Sequence, residues 1–142
     1  MTDRRASVIW EGDLPTGKGV ATFESSGLAD DVAVSWPSRA EEPNGQTSPE
    51  ELLAAAHASC FSMALSKQLA DNGATPRRIE TAATVTFVPG TGVTKSALEV
   101  AVTADGLDDE ILAKATGAAK EGCPISQALA GNVEITLDAR IG

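Results

Sequence analysis

The 142-residue chain carries 20 acidic against 11 basic side chains, a formal net charge of −9. That surface repels polyanions, and the basic residues are scattered with no cluster beyond two neighbours, which argues against nucleic-acid binding. With 42% hydrophobic and 22% charged residues, the composition excludes disorder and predicts one folded domain over residues 1–142, large enough to bury a core without a disulfide or metal staple.

Only 4% of the residues are aromatic and none is Tyr, so the core must be built from Ala, Val, Leu and Ile. No apolar run approaches the roughly 18 residues of a membrane span. The charged start, Met1-Thr2-Asp3-Arg4-Arg5, has no apolar stretch behind it, so no signal peptide is expected and a cytoplasmic location is. In that compartment thiols stay reduced. Cys60 and Cys123 are then two free buried thiols, part of a metal site, or a redox pair.

The first third reads as strands over residues 7–10, 19–24 and 32–36, separated by Gly12-Asp13-Leu14-Pro15-Thr16-Gly17 and Ser25-Ser26-Gly27. Residues 37–48 are polar, contain Pro43-Asn44-Gly45, and read as a loop. A helix starts with Ser48 at the N-cap, Pro49 at the first helical position and Glu50 and Glu51 in the first turn. It runs to about Asp71 and stops at Asn72-Gly73. From Leu52 to Leu65 nearly every residue is small or apolar, with no wet face. Such a helix is expected to be buried on every side, through the centre of the molecule or against a second subunit.

Two strands, 79–88 and 93–102, flank Pro89-Gly90-Thr91-Gly92 and predict a hairpin. Asp108-Asp109-Glu110 opens an amphipathic helix with Ile111, Leu112, Ala115, Ala118 and Ala119 on one face, ending at Gly122. Cys123-Pro124 restarts a short helical segment to about Ala130. Val133, Ile135, Leu137, Ala139 and Ile141 then alternate with Glu134, Thr136, Asp138 and Arg140, the pattern of a strand with one buried face. The order βββ-α-ββ-α-α-β is not a doubly wound pattern. It predicts an α+β fold with antiparallel sheets.

Few residues here can do chemistry. Cys60 lies mid-helix among apolar neighbours, where a free cysteine usually packs as a small hydrophobe and burial makes it inert. Cys123 sits at the start of a short helix, a place that stabilises a thiolate, so local rules favour it as the more reactive thiol. His57 shares a helix face with Cys60. Together with Cys123 these two could bind zinc in a metal-binding or regulatory module, but the paired spacings of structural zinc sites are absent. Glu50 and Glu51 read as a solvated first turn that suits the helix dipole, and Arg39 as an ordinary loop cation. A reactive Cys60 would need a group to hold its thiolate, and an arginine fixed by a carboxylate can do that without losing its charge.

Two segments carry a family resemblance. Pro49-Glu50-Glu51-Leu52-Leu53-Ala54-Ala55-Ala56-His57-Ala58-Ser59-Cys60-Phe61-Ser62-Met63-Ala64-Leu65 resembles the first-cysteine helix of the OsmC/Ohr family, the osmotically inducible protein C and organic hydroperoxide resistance proteins. Gly122-Cys123-Pro124-Ile125-Ser126 resembles its second-cysteine motif. Trp10-Glu11-Gly12-Asp13 and Gly17-Lys18-Gly19 look like the OsmC branch. The likeness spans residues 7 to 140.

The resemblance implies an α+β OsmC-like fold, an intertwined homodimer with sheets around long central helices and two sites at the interface. It implies a thiol-dependent peroxidase acting on organic hydroperoxides in defence against oxidative and osmotic stress. In it Cys60 is the peroxidatic nucleophile and Cys123 the resolving thiol, against the local expectation. The family's glutamate carries over to Glu50 through the Pro-Glu-Glu-Leu match, and its arginine to Arg39. No metal or cofactor is implied beyond an external dithiol reductant, small or protein-borne. Glu50 and Cys60, ten residues apart on one helix, are roughly 15 Å apart along its axis. Two copies crossing antiparallel near Ala55 would bring Glu50 of one chain beside Cys60 of the other.

Overall fold

The computed structural model describes residues 1–142, which gather into two compact units, Met1–Leu52 and Leu53–Gly142. In the first unit β1 (Ser7–Glu11), β2 (Lys18–Thr22) and β3 (Val32–Val34) form an antiparallel sheet in sequential order. The β1–β2 turn is locked by the Asp13 carboxylate, which accepts from the Thr16 amide at 2.9 Å and the Thr16 hydroxyl at 2.5 Å. Gly17 is required there, because a Cβ would stand 2.3 Å from the Asp13 carbonyl oxygen. The sheet buries little: Val8, Ile9, Trp10 and Val20 are all exposed.

The segment expected as a loop begins instead with a one-and-a-half-turn helix, α1 (Trp36–Ala40). Ser35 caps it. Its hydroxyl accepts from the Ser38 amide while the Ser38 hydroxyl accepts from the Ser35 amide, a reciprocal capping box. Pro37 suits the first turn, where its missing N–H costs nothing. So a residue expected to end a strand, Trp36, opens a helix.

The long helix α2 (Pro49–Asp71) starts and stops where the sequence predicts. The Ser48 hydroxyl accepts from the Glu51 amide at 3.1 Å. At the other end Gly73 adopts φ +87°, and the amides of Gly73 and Ala74 close onto the carbonyls of Ala70 and Leu69. The helix is not covered all round. His57, Phe61, Leu65 and Leu69, spaced by four, are fully buried. Leu52, Ala55, Ala56, Ser59 and Met63 form a second stripe that is exposed, with Met63 at 74%. Both stripes are apolar, and one copy of the chain covers only one of them.

In the second unit β4 (Thr75–Val88) and β5 (Gly92–Asp105) form the expected hairpin, and β6 (Glu134–Ile141) lies on the far side of β5. The β5–β6 pair is parallel, with Leu98 beside Leu137, so this sheet is mixed rather than purely antiparallel. The reason is the connection: α3 (Asp109–Gly122) and α4 (Pro124–Leu129) carry the chain back to the starting end of β5. Asp108 caps α3, its carboxylate accepting from the Ile111 amide at 2.8 Å. The core joins Phe61, Leu65 and Leu69 of α2 to Leu98, Val100 and Val102 of β5 and to Leu112, Ala115 and Ala119 of α3. No helix is long and apolar enough to cross a membrane.

Candidate active site

Cys60 and Cys123, 63 residues apart in the chain, hold their sulfur atoms 2.9 Å apart. Both are free thiols. A disulfide needs roughly 2.05 Å, so bond formation requires a shift of under an ångström rather than a rearrangement. The two are not equivalent. Cys60 is half-buried on the flank of α2 and lines an open groove of about 530 Å³. The groove walls are Ala56, Met63 and Ala64 of α2 with Ala118 and Gly122 of α3, and Lys67 and Gln68 stand two turns further along α2. Cys123 is fully buried behind it, at the junction where α3 ends and α4 begins.

That junction fixes Cys123 from both sides. Its amide donates to the Ala119 carbonyl at 2.9 Å, and its sulfur accepts from the Ser126 amide at 3.5 Å. Burial alone would raise the Cys123 pKa, but hydrogen bonds from Cys60 and from Ser126 and the Ile125 amide outweigh it and hold the thiol below its usual value. Cys60 moves the other way. Burial pushes it up, and its bond to Cys123 adds to the rise. Within one chain the two thiols are therefore shifted in opposite directions, Cys60 up and Cys123 down.

His57 is engaged by two serines. It is fully buried, with Nδ1 2.7 Å from the Ser96 hydroxyl and Nε2 2.7 Å from the Ser126 hydroxyl. Both ring nitrogens are occupied, and no three His, Cys, Asp or Glu side chains converge in a metal-holding group. The two serines are buried polar partners that the sequence alone does not point to. Ser126 lies within the second-cysteine motif. Ser96 carries no local signal, because only the packing of β5 against α2 brings it to a residue 39 positions earlier.

In the first unit Arg39 and Glu50 meet as a two-pronged pair. Arg39 Nε donates to both carboxylate oxygens at 3.1 and 3.2 Å, and Nη2 donates to Oε1 at 2.8 Å. Glu50 is 8% exposed and Arg39 is half-buried, so solvent screens this pair less than a surface bridge. α1 delivers the arginine and the first turn of α2 delivers the glutamate. The four residues expected to form a site thus appear as two built pairs, one in each unit.

A family model for OsmC-like proteins matches residues 42–138. Peroxiredoxin OsmC of Escherichia coli is 41% identical over 141 residues, covering 97% of this chain and 96% of that protein. Organic hydroperoxide resistance protein OhrB of Bacillus subtilis is 31% identical over 130 residues, covering 91% and 89%. The crystal structure of that OhrB superposes with a TM-score of 0.67 at 28% identity, covering 96% of this chain and 98% of the other. An organic hydroperoxide resistance protein OsmC from Legionella pneumophila superposes at 0.70 with 25% identity, covering 99% and 100%. The chain belongs to the OsmC family, and its fold is the α+β fold of the OsmC and Ohr proteins.

Proposed function

We propose that this protein is a thiol-dependent peroxidase that reduces organic hydroperoxides to alcohols. The observation that carries the reading is the sulfur pair: a solvent-reachable thiol in an apolar groove, with a second thiol buried 2.9 Å behind it. Accessibility decides the order. A hydroperoxide can reach Cys60 but not Cys123 without opening the core. The Cys60 thiolate attacks the distal oxygen of ROOH, the O–O bond breaks, and the departing alkoxide takes a proton to leave ROH. Cys60 is now a sulfenic acid. Cys123 displaces its hydroxyl as water and closes the Cys60–Cys123 disulfide. An external dithiol then reduces that bond and is itself oxidised to a disulfide. The apolar walls favour alkyl hydroperoxides over hydrogen peroxide. The relatives, a peroxiredoxin and organic hydroperoxide resistance proteins by name, support the same class.

A thiol pushed up by burial must be helped to ionise, and the Arg39–Glu50 pair is the group suited to do it. In this reading the pair serves the Cys60 of a second copy. The uncovered apolar stripe of α2 and the poorly covered β1–β3 sheet support a homodimer in which a second chain closes the groove. The reading places the protein in the cytoplasm, where a dithiol pool is at hand.

The test is turnover of cumene hydroperoxide beside hydrogen peroxide, with a dithiol reductant, for wild type, Cys60→Ser and Cys123→Ser. The organic substrate should be preferred, and Cys60→Ser should be inactive. Cys123→Ser should undergo one oxidation and carry the sulfenic acid on Cys60, progressing to sulfinic acid with excess peroxide. Sulfenic acid on Cys123 in the Cys60→Ser protein would reverse the two roles.

A further inference from the structure

A buried polar chain runs from the sheet to the second sulfur, and the peroxidase cycle above leaves it without a task. Its members are Ser96 on β5, His57 on α2 and Ser126 on α4, linked by two contacts of 2.7 Å. All three are at most 2% exposed. Histidine amid the small and apolar residues of α2 costs desolvation, which the two serines offset by occupying both ring nitrogens. A residue that only filled space there could be a leucine, like the next two members of the same stripe but one, Leu65 and Leu69.

Ser126 meets both ends of the chain: its hydroxyl stands 2.7 Å from His57 Nε2, and its amide donates to the Cys123 sulfur at 3.5 Å. A neutral ring has one N–H, so of its two serine contacts His57 donates in one and accepts in the other. The ring must stay neutral for this, and burial holds the His57 pKa below its usual value.

We propose that His57 is a positioning residue for the second half of the cycle: through Ser126 it aims a hydrogen-bonded Cys123 sulfur at the oxidised Cys60. The proposal rests on the peroxidase reading for its catalytic meaning, but the hydrogen-bond chain itself does not. The step it governs is balanced as before. The Cys123 sulfur bonds to the Cys60 sulfur, the S–O bond of the sulfenic acid breaks, and the Cys123 proton leaves with the hydroxyl as water. His57 supplies no net proton. It holds Ser126 in place, so that the Ser126 amide stays on the sulfur before and during attack. The titratable groups acting on Cys123 are Cys60 directly and His57 through Ser126.

Two measurements test this. The first follows one equivalent of cumene hydroperoxide by quenched mass spectrometry, separating sulfenic acid formation on Cys60 from disulfide closure. In Ser126→Ala and His57→Leu, closure should slow by about tenfold while sulfenic acid formation changes less than about twofold, the scale of losing a hydrogen bond to a charged partner. His57→Gln keeps an N–H donor near Nε2 and should recover most of the closure rate. Equal slowing of both steps, or no slowing of closure in folded Ser126→Ala, overturns the proposal.

The second measurement is independent of peroxide. In a Cys60→Ser background the pH midpoint of Cys123 alkylation, with the protein loosened in mild denaturant to admit the reagent, should rise by about one unit on adding Ser126→Ala or His57→Leu, and fall back with His57→Gln. An unmoved midpoint overturns the proposal even if the enzyme is active. A midpoint that moves in the Cys60→Ser background, while Cys60 of the wild type is never oxidised by peroxide, overturns the peroxidase reading and leaves the hydrogen-bond chain standing.

Discussion

At the scale of single residues, the demand on Cys60 is set by its neighbours. Burial pushes its thiol up, while Cys123 takes the amide hydrogen bonds of α4. A guanidinium held in a fixed orientation meets that demand better than a flexible ammonium. Arg39 is so held, with three contacts between 2.8 and 3.2 Å to one carboxylate. Arg39→Ala should therefore slow oxidation of Cys60 by at least about tenfold and raise the pH midpoint of its alkylation, and Arg39→Lys should recover only part. Stopped-flow oxidation and alkylation profiles read both. An unchanged profile moves the role to another cation. His57 makes a separate prediction about stability. Its folded pKa lies below the ordinary 6.5, so in the unfolded chain the ring takes up a proton that the folded chain refuses. The unfolded state binds more protons below about 6.5, and stability falls as pH falls through that value. Urea unfolding between pH 7.5 and 5.5 should show the gap between wild type and His57→Gln closing as pH falls. A constant gap contradicts a neutral buried ring.

At the scale of elements, α1 is the piece whose loss should be felt out of proportion to its size. It is five residues long and exists because Ser35 and Ser38 satisfy each other's amides. It carries Arg39 in its last turn. Ser35→Ala should cost about 1 kcal/mol in urea unfolding and loosen Arg39, while Ser35→Asn, which keeps an acceptor, should cost little. Equal effects of the two would show that the cap does not hold the element. This helix also marks where sequence reasoning stops. The signal was present, since Ser35-Trp36-Pro37-Ser38 contains both a cap and a first-turn proline, but Val32-Ala33-Val34 runs straight into it and reads as one strand with Trp36. α2 was legible because its start at Ser48-Pro49 and its stop at Gly73 are each written in local chemistry. The parallel pairing of β6 was not, because alternation along a strand fixes its faces and says nothing of its neighbour's direction. The same limit hid Ser96. The helix start at Cys123 is legible in Cys123-Pro124, and there the sulfur accepts the Ser126 amide. Whether that thiol attacks first depends on which sulfur solvent can reach, and that is a property of packing.

At the scale of the whole molecule, the question is what covers the second apolar stripe of α2. Leu52, Ala55, Ala56, Ser59 and Met63 are exposed in one chain, and a stripe of that kind on a central helix asks for a partner. Its small residues, Ala55 and Ala56, are where a second helix can come closest. Glu50 and Cys60 stand ten residues apart on α2, about 15 Å along its axis, and the antiparallel crossing of two such helices near Ala55 would place each Glu50 beside the other chain's Cys60. Glu50→Ala and Cys60→Ser homodimers should then both be impaired, the first because Arg39 loses the carboxylate that aims it and the second because it lacks the nucleophile. Unfolded together and reassembled, they should form heterodimers in which one site has both residues intact and the other has neither. Activity should return toward about half the wild-type value per heterodimer, after tag-based purification separates the mixed species from both parents. Met63→Glu, which buries a charge in the proposed interface, should yield monomers by light scattering with much reduced peroxidase activity. If purified heterodimers stay as inactive as the Cys60→Ser parent while wild-type subunits put through the same cycle recover, the sites are not shared in this way. If the Glu50→Ala homodimer keeps full activity, the glutamate is not needed, and the arginine must be held by other contacts.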